Sequence, residues 1–150
     1  MSDDGADVET MAEDQIDVFN IKRKIKQSLK KHFVPPETTI DMFKYGRVLG
    51  KGAYGKVNVC VQKLSSKLCA VKSINLEKVK VEDAKKKIES EKNILMKLRH
   101  PNIVQLYEHI RDFKLGYDLI YMELCTGGDL LGYLRRRKRL EEPITKMFMK

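Results

Sequence analysis

The sequence predicts an α+β fold, in which a small and mostly antiparallel sheet of about five strands carries one long packed helix. Two observations support this prediction. Several short segments between residues 43 and 124 are rich in alternating or β-branched apolar residues, as half-buried strands are. One longer stretch, at about residues 82–98, instead repeats its apolar residues with the period of a helix. Turns that contain glycine separate several of these segments.

The first three predicted strands follow one another closely along the chain. Phe43 to Leu49 forms the first strand, and a glycine-rich turn connects it to the strict apolar alternation of Val57 to Val61. Leu68 to Ile74 forms the third strand. Because side chains alternate across a pleated strand, Lys72 shares a face with apolar Ala70 and Ile74. The lysine is therefore predicted to point inward.

The long helix and two further strands complete the predicted sheet layer. The helix extends from about Glu82 to Leu98, and the strands are Val104 to Ile110 and Tyr117 to Leu124. A shorter helical stretch follows two glycines and continues through Leu134. The apolar stripe of the long helix consists of Ala84, Ile88, Leu95 and Leu98.

Residues 1–40 form a separate region in which the charge changes sign. Ser2 to Asp17 contains seven acidic residues, no basic ones and little apolar content, which predicts disorder. Residues 18–34 combine lysines and an arginine with an apolar stripe, which predicts a basic amphipathic helix. Such a helix can dock on its own domain, contact an anionic membrane or enter a calmodulin-like groove. Pro35-Pro36 ends the helix, so the folded domain is expected at residues 41–150.

The cysteines and the acidic start of the chain bear on its location. Cys60, Cys69 and Cys125 lie far apart, without the spacing of a metal site or a disulfide framework. The acidic start lacks the basic region and apolar stretch of a secretory signal, and no apolar run approaches the roughly 20 residues of a membrane span. These features favour a reducing, cytoplasmic setting.

The formal net charge of +9 raises the question of an anionic partner. The basic run Arg135 to Arg139 has the composition of a nuclear address or a nucleic-acid contact. Glu141-Glu142 follows directly and weakens the local field, so we interpret the run as a solvated loop. We expect no nucleic-acid partner, and the nucleus stays the alternative location.

A glycine-rich segment between the first two strands is the first feature that carries chemistry. Glycines let the backbone approach phosphate groups closely and point its N–H groups at them. Dinucleotide fingerprints and P-loops both need a helix directly after the glycines, whereas these residues continue as a strand. A flap over a nucleotide and an ordinary hairpin turn stay open. The segment consists of Gly50, Lys51, Gly52, Ala53, Tyr54, Gly55, Lys56 and Val57.

An inward-facing Lys72 needs a counter-charge, because a buried ammonium group is costly without an anionic partner. Position 91, on the apolar stripe of the long helix, is a glutamate, which predicts that Glu91 faces the sheet and pairs with Lys72. Glu89 lies about two-thirds of a turn off the stripe and is the poorer candidate. Such a pair is suited to holding phosphate oxygens. A surface lysine and a solvated glutamate are the alternative.

The ordered set of glycine flap, strand lysine and helix glutamate resembles the N-terminal lobe of the eukaryotic protein kinases, and the resemblance extends over about residues 43–150. It implies that the flap covers ATP, that Lys72 contacts the α- and β-phosphates, and that Glu91 anchors Lys72. It also implies that Leu49, Val57 and Ala70 sandwich the adenine. The resemblance assigns the back of the pocket to Met122, the hinge to Glu123 through Cys125, and the ribose contact to Asp129.

The resemblance implies an activity and its partners as well. A serine/threonine kinase transfers the γ-phosphate of ATP to hydroxyl groups of a protein substrate, with Mg²⁺ bound to the nucleotide. The segment from Gly127 to Leu134 is most similar to the calmodulin-dependent and AMP-activated branch. The last helical residues then resemble the start of the second, helical lobe.

Catalysis in that family needs two aspartates, in His-Arg-Asp and Asp-Phe-Gly motifs, and neither motif occurs in the sequence. The sequence ends at Lys150 within a predicted helix. We therefore expect part of a longer kinase that is inactive by itself, with no catalytic residue in these 150 and with its metal ligands further along the chain. The alternative is a catalytically inactive, kinase-like binding or regulatory module.

Overall fold

The structure, a computed structural model, describes residues 4–32 and 37–149, and side chains from residue 17 onward within those ranges. It has the predicted α+β architecture, with five strands, four α-helices and two single-turn 3-10 helices among the described residues. The elements in chain order are α1 (Asp4–His32), β1 (Phe43–Lys51), β2 (Gly55–Gln62), β3 (Lys67–Asn75), α2 (Glu82–Lys97), β4 (Leu106–Asp112), β5 (Tyr117–Met122), α3 (Leu130–Arg137) and α4 (Glu142–Phe148).

The five strands form one antiparallel sheet in the order β1-β2-β3-β5-β4. Strand β3 lies at its centre, because it pairs with β2 on one side and β5 on the other. Across these strands Lys72 lies opposite both Val57 and Ile120. The next row of the same face places Ala70 opposite Met122. The register thus brings residues from three distant segments side by side.

Helix α2 packs on one face of the sheet, as predicted. Its Ala84 is buried together with Ile74 and Ile120 of the sheet and with Val79, which precedes the helix. Ile88 of α2 packs against this cluster. Residues four apart lie on the same side of a helix, so Ala84 and Ile88 form the start of its buried stripe. This packing fixes α2 over the centre of the sheet.

Helix α1 covers the opposite face of the sheet. Ile21 is only 3% exposed and is buried with Val71, Leu119 and Tyr121, and Ile25, one turn later, packs against the same cluster. An ion pair of 2.5 Å between Asp17 and Lys63 accompanies this packing. Of the alternatives for the basic amphipathic helix, the structure therefore contains docking on its own domain.

The helix begins earlier than the sequence predicts. Helix α1 starts at Asp4, within the segment Ser2 to Asp17 for which the sequence predicts disorder. Acidic residues in the first turns and basic residues in the last turn complement the helix macrodipole, and this segment also contains several strong helix formers. Residues 33–36, with the predicted helix end at Pro35-Pro36, lie outside the described residues.

Strand β4 begins and ends two residues later than predicted, at Leu106 and Asp112, and β5 ends two residues earlier than predicted, at Met122. The register of the pair shifts between Leu106 and Glu108, and beyond it the Glu123 backbone N–H donates to the Gln105 carbonyl at 2.8 Å. An irregular pairing therefore replaces the ends of both predicted strands. Among the helices of the described residues, none combines the length and the apolar character that crossing a membrane requires.

Candidate functional site

A cavity of about 580 Å³ lies between the β1–β2 turn, strand β3 and helix α2. Its lining includes the whole predicted glycine-rich segment from Gly50 to Val57, together with Lys72 and Glu91. The other lining residues are not among those that the sequence predicts for a site. These residues are Ile74, Val81, Asp83, Ala84, Lys87 and Ile88.

The roof of this cavity is a strand–turn–strand hairpin. The Gly52 N–H donates to the Gly55 carbonyl at 2.8 Å, and the Asn75 N–H donates to the Tyr54 carbonyl at 2.9 Å. The second hydrogen bond ties the turn to the end of β3. Strand β2 begins at Gly55, so no helix follows the glycines and the dinucleotide and P-loop alternatives are excluded.

Lys72 and Glu91 form the ion pair that the sequence predicts. The Lys72 Nζ lies 2.6 Å from the Glu91 Oε1, which joins the central strand to α2. The side chains are 31% and 50% exposed, so the prediction that the pair is buried is wrong. The physical reason is the position of the pair at the open cavity, where both charged groups keep contact with solvent. Each of them therefore remains accessible to a ligand in that cavity.

The charges around the cavity favour an anion. Four lysines line it, namely Lys51, Lys56, Lys72 and Lys87, against two carboxylates. The glycines of the hairpin let its backbone approach a ligand closely, without a side chain in the way. A phosphate chain beneath the hairpin would lie close to these lysines. The arrangement is therefore suited to binding a phosphorylated ligand.

The helix side of the cavity carries a regular series that the sequence analysis missed. Asp83, Lys87 and Glu91 are spaced four residues apart on α2, and all three line the cavity. Residues at this spacing occupy one side of a helix. The signal was present in the sequence, because the prediction for Glu91 fixes the side of the helix on which Asp83 and Lys87 lie.

The remaining predicted site residues lie outside this cavity. Ala70 and Met122 are neighbours across β3 and β5, and Ala70 is buried, while Leu49 on the edge strand β1 is exposed. None of the three lines the cavity, and neither do Glu123, Cys125 and Asp129. The cavity thus contains the predicted phosphate-side residues together with Val57, whereas the other residues predicted to contact the adenine do not line it.

The segment after β5 uses its polar groups locally. The Glu123 Oε2 accepts a hydrogen bond of 3.2 Å from the Gln105 N–H. The Asp129 Oδ1 accepts one of 2.5 Å from the Gly132 N–H and so caps the N-terminus of α3. The Asp129 carboxylate therefore already caps α3, and the predicted ribose contact would have to be made by the same carboxylate.

A metal site does not emerge from the acidic residues of the described chain. No group of three or more His, Cys, Asp or Glu side chains among the described residues is arranged to hold a metal ion. The two carboxylates that line the cavity belong to Asp83 and Glu91, and Glu91 is engaged by Lys72. These residues do not fit a Mg²⁺ site.

Comparisons with known proteins all match this chain to protein kinases. The family model described as "Protein kinase domain" matches residues 43–150. An Aurora kinase of Schizosaccharomyces pombe is 33% identical over 113 residues, which are 75% of this chain and 31% of that protein. NUAK family SNF1-like kinase 1 of Homo sapiens is 36% identical over 102 residues, which are 68% of this chain and 15% of that protein. The probable serine/threonine-protein kinase MARK-B of Dictyostelium discoideum is 33% identical over 105 residues, which are 70% of this chain and 14% of that protein. The chain spans less than a third of each relative.

Proposed function

We propose, from the premise that this chain belongs to the protein kinase family, that it is the ATP-binding part of a serine/threonine protein kinase. The observation that carries the proposal is the 2.6 Å ion pair between Lys72 and Glu91 in a cavity roofed by a glycine-rich hairpin. Because the glutamate fixes the ammonium group, the lysine is preorganised to meet phosphate oxygens.

Within this proposal the hairpin covers the triphosphate and Lys72 contacts its α- and β-phosphates. Val57 lies directly across β2 and β3 from Lys72, and Ala70 lies one row further along the same face, beside Met122. These rows would place the adenine on Val57 and Ala70, toward the segment from Glu123 to Cys125. The segment thus extends the ligand site beyond the phosphate cavity.

Phosphoryl transfer to a protein hydroxyl is proposed only for a longer chain. The family's transfer step uses aspartates that orient the substrate hydroxyl and bind Mg²⁺, and their motifs do not occur in these 150 residues. Finer placement in the AMP-activated branch is supported by the segment from Gly127 to Leu134 and by the similarity to NUAK and MARK-B kinases.

Nucleotide titrations test the proposal directly. Lys72→Met should weaken the binding of a fluorescent ATP analogue at least about tenfold, since it removes charge-assisted contacts to phosphate, and should leave adenosine affinity unchanged. Lys97→Met, in the last turn of α2 and outside the cavity, is the matched control. Equal ATP affinity in the two variants would remove Lys72 from the phosphate site. An unaltered chain that binds no ATP would favour the non-catalytic, kinase-like module.

For α1 we propose an autoregulatory contact with its own domain. A calmodulin-like groove would bind the apolar stripe of the helix, yet Ile21 and Ile25 of that stripe already pack on the sheet. Such a partner would have to displace the helix first. The outward side carries exposed Phe19 and basic residues such as Arg23, which leaves an anionic membrane as the competing partner.

A further inference from the structure

A chain of charged residues joins strand β5, strand β4 and helix α2 on the side of the helix away from the cavity. Its fixed point is Asp118 on β5, whose side chain is 0% exposed. The Asp118 Oδ2 accepts a hydrogen bond of 2.9 Å from the Arg111 Nη2, and its other oxygen contacts the His109 Nε2. The buried carboxylate therefore holds the Arg111 guanidinium in one place on β4.

The same guanidinium reaches helix α2. The Arg111 Nη2 also donates to the Glu89 Oε2 at 3.2 Å, and the Glu89 Oε1 forms an ion pair of 2.5 Å with the Lys92 Nζ. Lys92 is itself nearly buried, with a side-chain exposure of 8%. Glu89, which the helical period ranked behind Glu91, thus makes its own contact with the sheet.

Both carboxylates of this network are held in their charged forms. Burial by itself would raise the pKa of Asp118, but the hydrogen bonds from Arg111 and His109 outweigh it and bring the pKa below its usual value. The hydrogen bond from Lys92 likewise lowers the pKa of Glu89, with a smaller contribution from Arg111, against an opposing effect of burial. Asp118 and Glu89 therefore both meet Arg111 as carboxylates near neutral pH.

Two ion pairs consequently hold α2 from its two flanks. At about 100° per residue, Glu89 projects about 100° to one side of Ile88 and Glu91 about 60° to the other, so the two glutamates flank the buried stripe. Glu91 is tied to Lys72 on β3, and Glu89 is tied to Arg111 on β4. A rotation of the helix about its axis would lengthen at least one of these pairs.

We propose that Glu89 and Arg111 are positioning residues, which set the rotation of α2 and so keep Glu91 in contact with Lys72. An exposed ion pair usually contributes little, because ordering two long side chains costs conformational entropy. Here the buried Asp118 has already ordered the guanidinium, so Glu89 meets a preorganised cation. The effect on nucleotide affinity rests on the proposed function, whereas the effect on α2 does not.

The test compares Glu89→Gln with Glu82→Gln in the full chain of 150 residues. The first variant keeps the contact between Arg111 and Asp118 and removes the charge with which Glu89 binds Arg111 on β4 and Lys92 within α2. The control removes a glutamate of the same helix whose ion pair, with Lys85, stays within the helix. Glu89 and Glu82 are both substantially exposed, so each variant is expected to fold.

The first measurement needs no ligand. Glu89→Gln should raise amide hydrogen exchange throughout α2 by about two- to tenfold relative to Glu82→Gln, because the helix loses one of its two lateral restraints. Equal exchange in both variants would overturn the proposal. This outcome is independent of whether the chain binds ATP.

The second measurement separates positioning from general damage. Glu89→Gln should weaken the binding of a fluorescent ATP analogue by about two- to tenfold and leave adenosine affinity unchanged, since only the phosphate lysine loses its anchor. In a Lys72→Met background the same substitution should have no further effect. Equal losses for ATP and adenosine, or additive losses in the double variant, would overturn the positioning role. If Glu89→Gln raises amide exchange in α2 as expected but the unaltered chain binds no ATP, only the proposed function is refuted.

Discussion

At Gly55 the flap strand β2 passes so close to β3 that a side chain has no room. A Cβ atom built on Gly55 would lie 1.9 Å from the Ser73 carbonyl oxygen, whereas one built on Gly50 meets nothing within 4 Å. The two glycines of one hairpin thus have different reasons to be present. Gly55 is required by the close packing of β2 against β3, whereas Gly50 leaves open space above the cavity.

We expect Gly55→Ala to lower the free energy of unfolding by about 1–3 kcal/mol, because the backbone of one strand must shift to admit the methyl group. Gly50→Ala, the matched control, should change it by less than about 1 kcal/mol. Urea unfolding without nucleotide measures both values. A Gly55→Ala chain as stable as the control would show that β2 and β3 can separate at this point without cost.

Asp118 gives the chain a defined sensitivity to acid. Its pKa in the folded chain is below the ordinary value of 3.8. At pH values between the lowered and the ordinary pKa, the unfolded chain therefore binds more protons than the folded one. The stability that Asp118 supplies is therefore complete above about pH 4 and is lost as the pH falls through the lowered pKa. Asp118→Asn removes this carboxylate while nearly keeping its shape.

We expect Asp118→Asn to cost about 2–3 kcal/mol of unfolding free energy at pH 7, since hydrogen bonds to a charged group are lost. Below pH 4 the difference from the unaltered chain should shrink, because the unaltered chain loses the same contribution there. Urea unfolding at a series of pH values measures the difference. A gap that stays constant from pH 7 to pH 3 would mean that Asp118 does not titrate in the predicted direction.

The two glutamates of α2 show how far residue types alone can lead. The helical period predicts that Glu91 faces the sheet, and the strand alternation predicts that Lys72 faces inward. Both residues of that ion pair could therefore be predicted from the sequence. Glu89 finds its partner Arg111 on a strand that begins nine residues after α2 ends. The position of β4 relative to α2 depends on the packing of the whole lobe, which no local period encodes.

Helix α1 is the element whose role changed most between sequence and structure. The apolar stripe within residues 18–34 was visible, but its partner was not, because three kinds of surface can bind such a stripe. In the structure, Ile21 is buried together with Val71 and Tyr121 of the sheet. The strands were easier to predict, since short alternating runs bounded by glycine have few other interpretations.

The docking of α1 can be tested with one charge placed on either side of the helix. Ile21→Asp should lower the unfolding free energy by about 2–5 kcal/mol and should raise amide exchange along α1, because the buried contact is replaced by a carboxylate. Phe19→Asp is the control: Phe19 is 66% exposed, and the expected change is within about 0.5 kcal/mol. Equal effects of the two substitutions would mean that α1 is not docked through Ile21.

At the scale of the whole molecule, the sheet is a shared layer between two helices with different tasks. Helix α2 and the hairpin enclose the cavity on one face, and α1 closes the other face over a cluster that contains Cys60 and Cys69. The two thiols lie 2.6 Å apart across β2 and β3, whereas Cys125 is exposed near the end of the sheet. These cysteines therefore report separately on the covered face and on the surface.

The rate at which the covered thiols react should follow the opening of α1. Burial, together with the neighbouring Cys69, raises the pKa of the Cys60 thiol, and the thiolate is the reactive form. With a disulfide reagent in excess, we expect one thiol to react at once and two slowly. Because opening must precede their reaction, Ile21→Asp should accelerate the slow pair about tenfold for each 1.4 kcal/mol by which it favours the open state. Rates that match those of Phe19→Asp would instead show that the sheet itself must unfold before these thiols are exposed, so that α1 does not control access to this face.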